Sequence, residues 1–156
     1  MLKRMIHLDR ILIFKDLDEK YMDLLNPLFE PFSCYAGTSV LQQGMPAIYL
    51  YLVINGKVEV SYRPYDGQPI TITHVEREGL FGWSAVVGSE KYTSSAIAIE
   101  NLETMRIRGS ELRKLCAEHP EAGRKILERL ANSVSTRWKD AQNQVKTILE
   151  QGLKNN

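Results

Sequence analysis

Between Phe32 and Arg108 the chain alternates apolar and polar residues with a period of two, and glycine interrupts the alternation at short intervals. Val58, Val60 and Tyr62 alternate with Lys57, Glu59 and Ser61, and Ile70 and Ile72 with Thr71 and Thr73. Ile97 and Ile99 alternate with Ala96 and Ala98, and Met105 and Ile107 with Arg106 and Arg108. Successive strand residues point to opposite faces, so this pattern specifies β-strands with one face buried. The interruptions are turn formers: Ala36-Gly37, Gln43-Gly44, Asn55-Gly56, Asp66-Gly67 and Glu78-Gly79. Asn-Gly and Asp-Gly between alternating runs favour tight hairpins, because both central residues of a type I′ turn need positive φ. Ile54-Asn55-Gly56-Lys57 and Tyr65-Asp66-Gly67-Gln68 are therefore expected to join antiparallel pairs. Short strands at this spacing predict a mainly β fold with flanking helices, an antiparallel β-roll of jelly-roll type.

On either side the period changes to that of a helix. In the N-terminal segment, 1–31, Ile11, Leu12, Phe14, Leu17, Tyr21, Leu24, Leu25 and Leu28 recur at spacings that suit one helix face. Asp16 or Asp18 is placed to cap it, and Pro27 and Pro31 to end it. In 109–156, Gly109-Ser110 reads as a stop and an N-cap, a short helix follows with Leu112 and Leu115 facing inward, and His119-Pro120 opens a second helix. Along that helix Ile126, Leu130, Val134, Trp138, Ala141, Val145 and Ile148 form one apolar stripe ending near Gly152. About thirty residues at 1.5 Å rise span roughly 45 Å, more than a small domain is wide. The overhang predicts a homodimer seamed along the stripe, unless the stripe folds back on the roll instead. With 156 residues the chain is expected to be one domain, 1–156, with the roll at 32–108 and a core that needs no disulfides.

Composition removes several functions. Lys+Arg 20 against Asp+Glu 19 leaves a formal charge of +1, without the basic excess that phosphate neutralisation by a nucleic-acid binder requires. Cys34 and Cys116 form no C-x-x-C pair and fit a reducing cytoplasm. The longest apolar run, Ala47 to Ile54, is too short to cross a bilayer. His7, His74 and His119 have no metal-ligand spacing, which removes a cupin-like metal enzyme, and Ser94-Ser95 has no G-x-S-x-G context. The expectation is a non-enzymatic, cytoplasmic protein without a metal, a catalytic residue or a membrane segment.

Four stretches carry a resemblance. Phe14-Lys15-Asp16-Leu17 precedes Gly37-Thr38-Ser39-Val40-Leu41-Gln42-Gln43-Gly44, then Tyr51-Leu52-Val53-Ile54-Asn55-Gly56-Lys57-Val58-Glu59-Val60, then Gly79-Leu80-Phe81-Gly82. In wording and order they resemble the cyclic nucleotide-binding domain of the Crp/Fnr type, over about Phe14 to Trp138. The resemblance implies a phosphate-binding cassette reading F-G-E, followed by R-[ST]-A. There the Glu accepts from a ribose hydroxyl and the Arg holds the cyclic phosphate. Here the Glu position is Trp83, in Phe81-Gly82-Trp83-Ser84-Ala85, and the Arg position is Tyr92, before Thr93-Ser94-Ser95-Ala96. Lys91 is adjacent but would point to the opposite face of a strand.

The expected pocket therefore comprises Gly82, Trp83, Ser84, Ala85, Tyr92, Thr93 and Ser94, with Trp138 either closing it or sitting in the dimer seam. Three outcomes stay open. Trp83 and Tyr92 stack and fill the pocket, leaving a ligand-free dimerisation or protein-interaction module. Alternatively they line a changed pocket for a planar, less charged small-molecule effector. In the third, cyclic AMP still binds, weakened, through Thr93 and backbone amides after Gly82. The family resemblance also implies a sensor that signals through its C-terminal helix to an unknown protein partner. Crp/Fnr activators carry a helix-turn-helix after that helix, and this chain stops at Asn156, so direct binding to nucleic acid is not expected.

Overall fold

The computed structural model of the protein describes residues 12–132. Eight strands, β1 (Phe29–Cys34), β2 (Ser39–Leu41), β3 (Tyr49–Asn55), β4 (Val58–Tyr62), β5 (Ile70–Val75), β6 (Leu80–Phe81), β7 (Ser95–Ala98) and β8 (Leu102–Arg108), make two antiparallel sheets. Their orders are β1-β8-β3-β6 and β2-β7-β4-β5. The helices are α1 (Glu19–Leu25), α2 (Ser84–Val87) and α3 (Gly109–Glu118), with α4 over 120–132.

Three layers result. Leu50 and Leu52 of β3 face a core shared with the helices, while Tyr51 and Val53 of the same strand face the second sheet. Burial on both faces explains why β3 reads as an unbroken apolar run instead of an alternating one. Between the sheets Tyr51 and Phe81 stack face to face with centroids 4.8 Å apart. On the helix side Phe14, Leu25, Leu112, Leu115, Ile126 and Leu130 cover the first sheet. None of the described helices is long and apolar enough to cross a membrane.

The strand register departs from the sequence expectation where packing overrides local pattern. Asn55-Gly56 does not close a hairpin, because β3 pairs with β6 and β8 whereas β4 pairs with β5 and β7. The dipeptide is the corner at which the chain leaves one sheet for the other. Gly56 has φ +103°, and a Cβ there would strike the Asn101 carbonyl, so the corner depends on close backbone approach. Asp66-Gly67 does join β4 to β5, but in a longer loop where Asp66 takes φ 60° and the Gly67 N–H donates to Pro64 O at 3.0 Å. β7 keeps its period with the phase reversed: Ala96 and Ala98 are fully buried, and Ile97 and Ile99 are about 40% exposed. Ala96 and Ala98 share the core between the sheets with Tyr51, Phe81 and Tyr92.

The ends differ as well. Helical structure is broken among the described N-terminal residues: two short 3-10 turns, Leu12–Phe14 and Asn26–Leu28, flank α1. Asp18 caps α1 by accepting the Lys20 N–H at 3.3 Å, and Asp16 instead takes φ 70°. The roll begins at Phe29, three residues before its expected start, with Pro31 inside β1 opposite Met105. Proline is tolerated there because β1 is an edge strand. α3 starts at Gly109, so Ser110 lies inside the helix and is not its cap. Gly109 is required by contact, since a Cβ would run into the Ala85 carbonyl.

α4 changes the dimer expectation. Pro120 opens it as the sequence predicts, but Ile126 and Leu130 are fully buried by their own chain, beside Phe14, Leu25 and Leu112. Those two residues are core, not seam: the first turns of the stripe fold back onto the helix layer. Val134, Trp138, Ala141, Val145 and Ile148 lie outside the described residues.

Candidate functional site

β6 ends at Phe81, and the chain reverses at Gly82, which has φ +87°. A Cβ on Gly82 would come within 2.7 Å of Tyr49 O, so glycine alone lets the turn lie against β3. Trp83 then leads into α2, a single turn closed by Gly88 in the left-handed region at φ 79°. Between this turn and the second sheet lies a cavity of about 220 Å³. At about 30 Å³ per water, that is room for roughly seven waters or one compact organic molecule.

One wall is aliphatic, built by Leu41, Val60, Val75, Leu80 and Ala96 with the Phe81 ring. The lining also includes the hydroxyl-bearing Ser84, Ser89, Thr93 and Ser94 together with Trp83, Val87 and Tyr92, and Thr73 adds one more from β5. Ser84 Oγ and Thr93 Oγ1 lie 3.4 Å apart. Among the described residues no Asp, Glu, Lys, Arg or His lines the cavity.

The structure brings Gly82, Trp83, Ser84, Tyr92, Thr93 and Ser94 to this one cavity. Ala85 is buried behind it, and its carbonyl accepts from Arg113 Nη1 of α3. Trp138 lies outside the described residues. Trp83 and Tyr92 do not stack among the described ring contacts. Trp83 is half-buried and leans on the helix-side core, whereas Tyr92 is buried between the sheets. The Tyr92 hydroxyl donates to Tyr49 O at 2.7 Å and accepts the Tyr49 N–H at 2.9 Å. Burial pushes its pKa above the ordinary tyrosine range, and the hydrogen bond to the Tyr49 backbone partly opposes that rise. Lys91 is exposed beside it and lines no part of the cavity.

Arg106 and Arg108 both reach the Tyr49 ring, and Arg106, the nearer, is already engaged. It lies 2.8 Å from Glu30, with its guanidinium 3.9 Å from the centre of the Tyr49 ring and 4.6 Å from that of Phe32. Among the described residues neither it nor any other cation lines the cavity.

Sequence reasoning located the cassette but missed the facing wall. Val60 and Val75 carried only the generic alternation of β4 and β5, and nothing local marked them as lining a site. Arg113 and Gly109 were missed as well, although a glycine opening a helix that touches another element is a packing signal.

The cyclic nucleotide-binding domain family matches residues 31–119, more than half of the chain. The CRP-like cAMP-activated global transcriptional regulator of Mycobacterium tuberculosis is 28% identical over 119 residues, which is 76% of this chain and 53% of that protein. The chain thus spans about half the length of that curated relative. A cyclic nucleotide-binding domain from Methylobacillus flagellatus superposes with a TM-score of 0.76 at 21% identity, covering 90% of this chain and 79% of the other. The regulatory subunit of a cAMP-independent protein kinase A from Trypanosoma cruzi, bound to guanosine, superposes with a TM-score of 0.70 at 18% identity, covering 90% of this chain and 48% of the other. With β2 to α3 wholly inside the matched span, the chain belongs to the cyclic nucleotide-binding domain family.

Proposed function

We propose that the protein is a non-enzymatic regulatory sensor whose cavity takes a compact, uncharged, largely planar effector and reports its occupancy through α3 and α4. One observation carries this: the cavity is open and, among the described residues, no ionised side chain lines it. An open cavity supports a ligand-taking domain over a module that fills its own pocket. A charge-assisted hydrogen bond contributes about 1.5–3 kcal/mol, so lacking both the Glu and the Arg contact weakens a cyclic nucleotide by about 3–6 kcal/mol, or two to four decades of affinity. A lining that mixes hydroxyl-bearing and aliphatic residues suits a neutral molecule with a polar edge and an apolar face. Nucleosides meet that description, and the Trypanosoma cruzi protein of the same fold holds one.

The route outward runs through Ala85. Its carbonyl takes the Arg113 guanidinium and abuts Gly109, so a shift of α2 on ligand closure displaces the start of α3. α3 meets α4 at His119-Pro120, and the apolar positions from Val134 to Ile148 are the surface we assign to a second copy of the chain and then a protein partner. Such a relay requires only a ligand that prefers one arrangement of α2.

The test is a pair of fluorescent molecules that share one skeleton and differ by a single anionic group. N-phenyl-1-naphthylamine is expected to bind at least about tenfold more tightly than 8-anilinonaphthalene-1-sulfonate. Its affinity should stay flat from about pH 5 to about pH 9, because Tyr92, the one titratable lining residue among those described, stays protonated throughout. Equal or tighter binding of the sulfonate overturns the proposal.

A further inference from the structure

We infer that Tyr92 is a partition that ends the effector cavity and sets the length of molecule it accepts. The inference rests on the cavity being the effector site. The position that the family resemblance gives to a phosphate-holding arginine thus carries a wall in this chain. Behind Tyr92 lies a second hollow, a groove of about 480 Å³ between the two sheets, rimmed by Met45, Ile48 and Tyr49. Leu41 and Tyr92 line both spaces, and Tyr92 is the larger of the two side chains. A side chain that contributes to both walls is what separates them.

The wall is held at several points. The Tyr92 hydroxyl is bonded to both polar groups of Tyr49, as donor and as acceptor. Its own backbone is fixed as well, with Tyr92 N donating to Met45 O and Gly44 N donating to Tyr92 O, both at 2.9 Å. The ring cannot swing aside without breaking both bonds of its hydroxyl, and the backbone bonds fix the base from which it projects, so the cavity does not extend into the groove. Met45 and Ile48 on the groove rim are exposed, so a ligand tail that passed this point would find apolar contacts. The partition therefore selects for short effectors, although the surface behind it would reward longer ones.

Displacement of N-phenyl-1-naphthylamine by straight-chain primary alcohols, from pentan-1-ol to undecan-1-ol, measures that length directly. In the parent protein each added methylene is expected to tighten displacement about fourfold until the chain meets Tyr92, and further carbons then add nothing. Tyr92→Phe keeps the ring and should keep the same limit. Tyr92→Leu should move the limit by at least one carbon and Tyr92→Ala by at least two, and the leucine variant retains apolar filling if the alanine variant does not fold. An unchanged limit in a folded leucine or alanine variant, or a limit in Tyr92→Phe shifted as far as in Tyr92→Leu, overturns the partition and leaves the effector assignment standing. Failure of the parent to take up the fluorophore overturns the effector assignment and the partition with it.

Discussion

Trp83→Glu combined with Tyr92→Arg is expected to leave cyclic AMP affinity within about tenfold of the parent and to lower unfolding free energy by about 3–5 kcal/mol. The substitutions install, by residue type, the two anchors that the resemblance assigns to the cassette. If the pocket were a nucleotide site lacking only those groups, they would restore two to four decades of affinity. The structure argues otherwise at both positions. Tyr92 is buried between the sheets and bonded to the Tyr49 peptide, so a guanidinium there loses those bonds and enters a space built for a neutral ring. Trp83 leans on the helix-side core as well as lining the cavity, and a carboxylate would abandon that contact. Calorimetric titration with cyclic AMP, alongside urea unfolding, reads both effects. A gain of a hundredfold or more would show the cassette intact apart from its anchors.

Ile126→Ala should lower stability by about 2–5 kcal/mol, with the urea dependence of the unfolding free energy unchanged. Ile126 is fully buried beside Phe14, Leu25 and Leu112, and nothing in that cluster can move in to fill the space without losing its own contacts. The same substitution should leave the oligomeric state as it was, because this part of α4 faces the chain's own core. A loss below about 1 kcal/mol, or a change in sedimentation, would return Ile126 to a seam between copies.

The contrast between these residues shows what the sequence could and could not reveal. Residue pattern was enough for strand content, for the order of helix, roll and helices, and for the place of the cassette, because period and glycine spacing are local properties. Sheet partnership was not. Asn55-Gly56 has the composition of a hairpin, but the feature that decides its role is the approach of Gly56 to Asn101, forty-five positions along the chain. Ala96 and Ala98 face inward where hydrophobicity favours Ile97 and Ile99, because the pairing of β7 with β2 and β4 sets which face points to the core. The apolar stripe from Ile126 is equally consistent with a core face and a dimer face, and only burial assigned its first two members. At the site, the absence of both charged anchors was legible residue by residue. That Trp83 and Tyr92 frame a cavity instead of filling it depended on the Tyr49 peptide, whose backbone groups leave no trace in a sequence.

The most direct test of the central claim is the ratio of affinities for a nucleoside and its own cyclic phosphate, measured by titration calorimetry for adenosine with cyclic AMP and guanosine with cyclic GMP. Each pair shares base and ribose and differs in the charge that none of the described lining residues meets. We predict that the nucleoside binds at least about tenfold more tightly in the better-bound pair. Tighter binding of the cyclic nucleotide would contradict an uncharged effector.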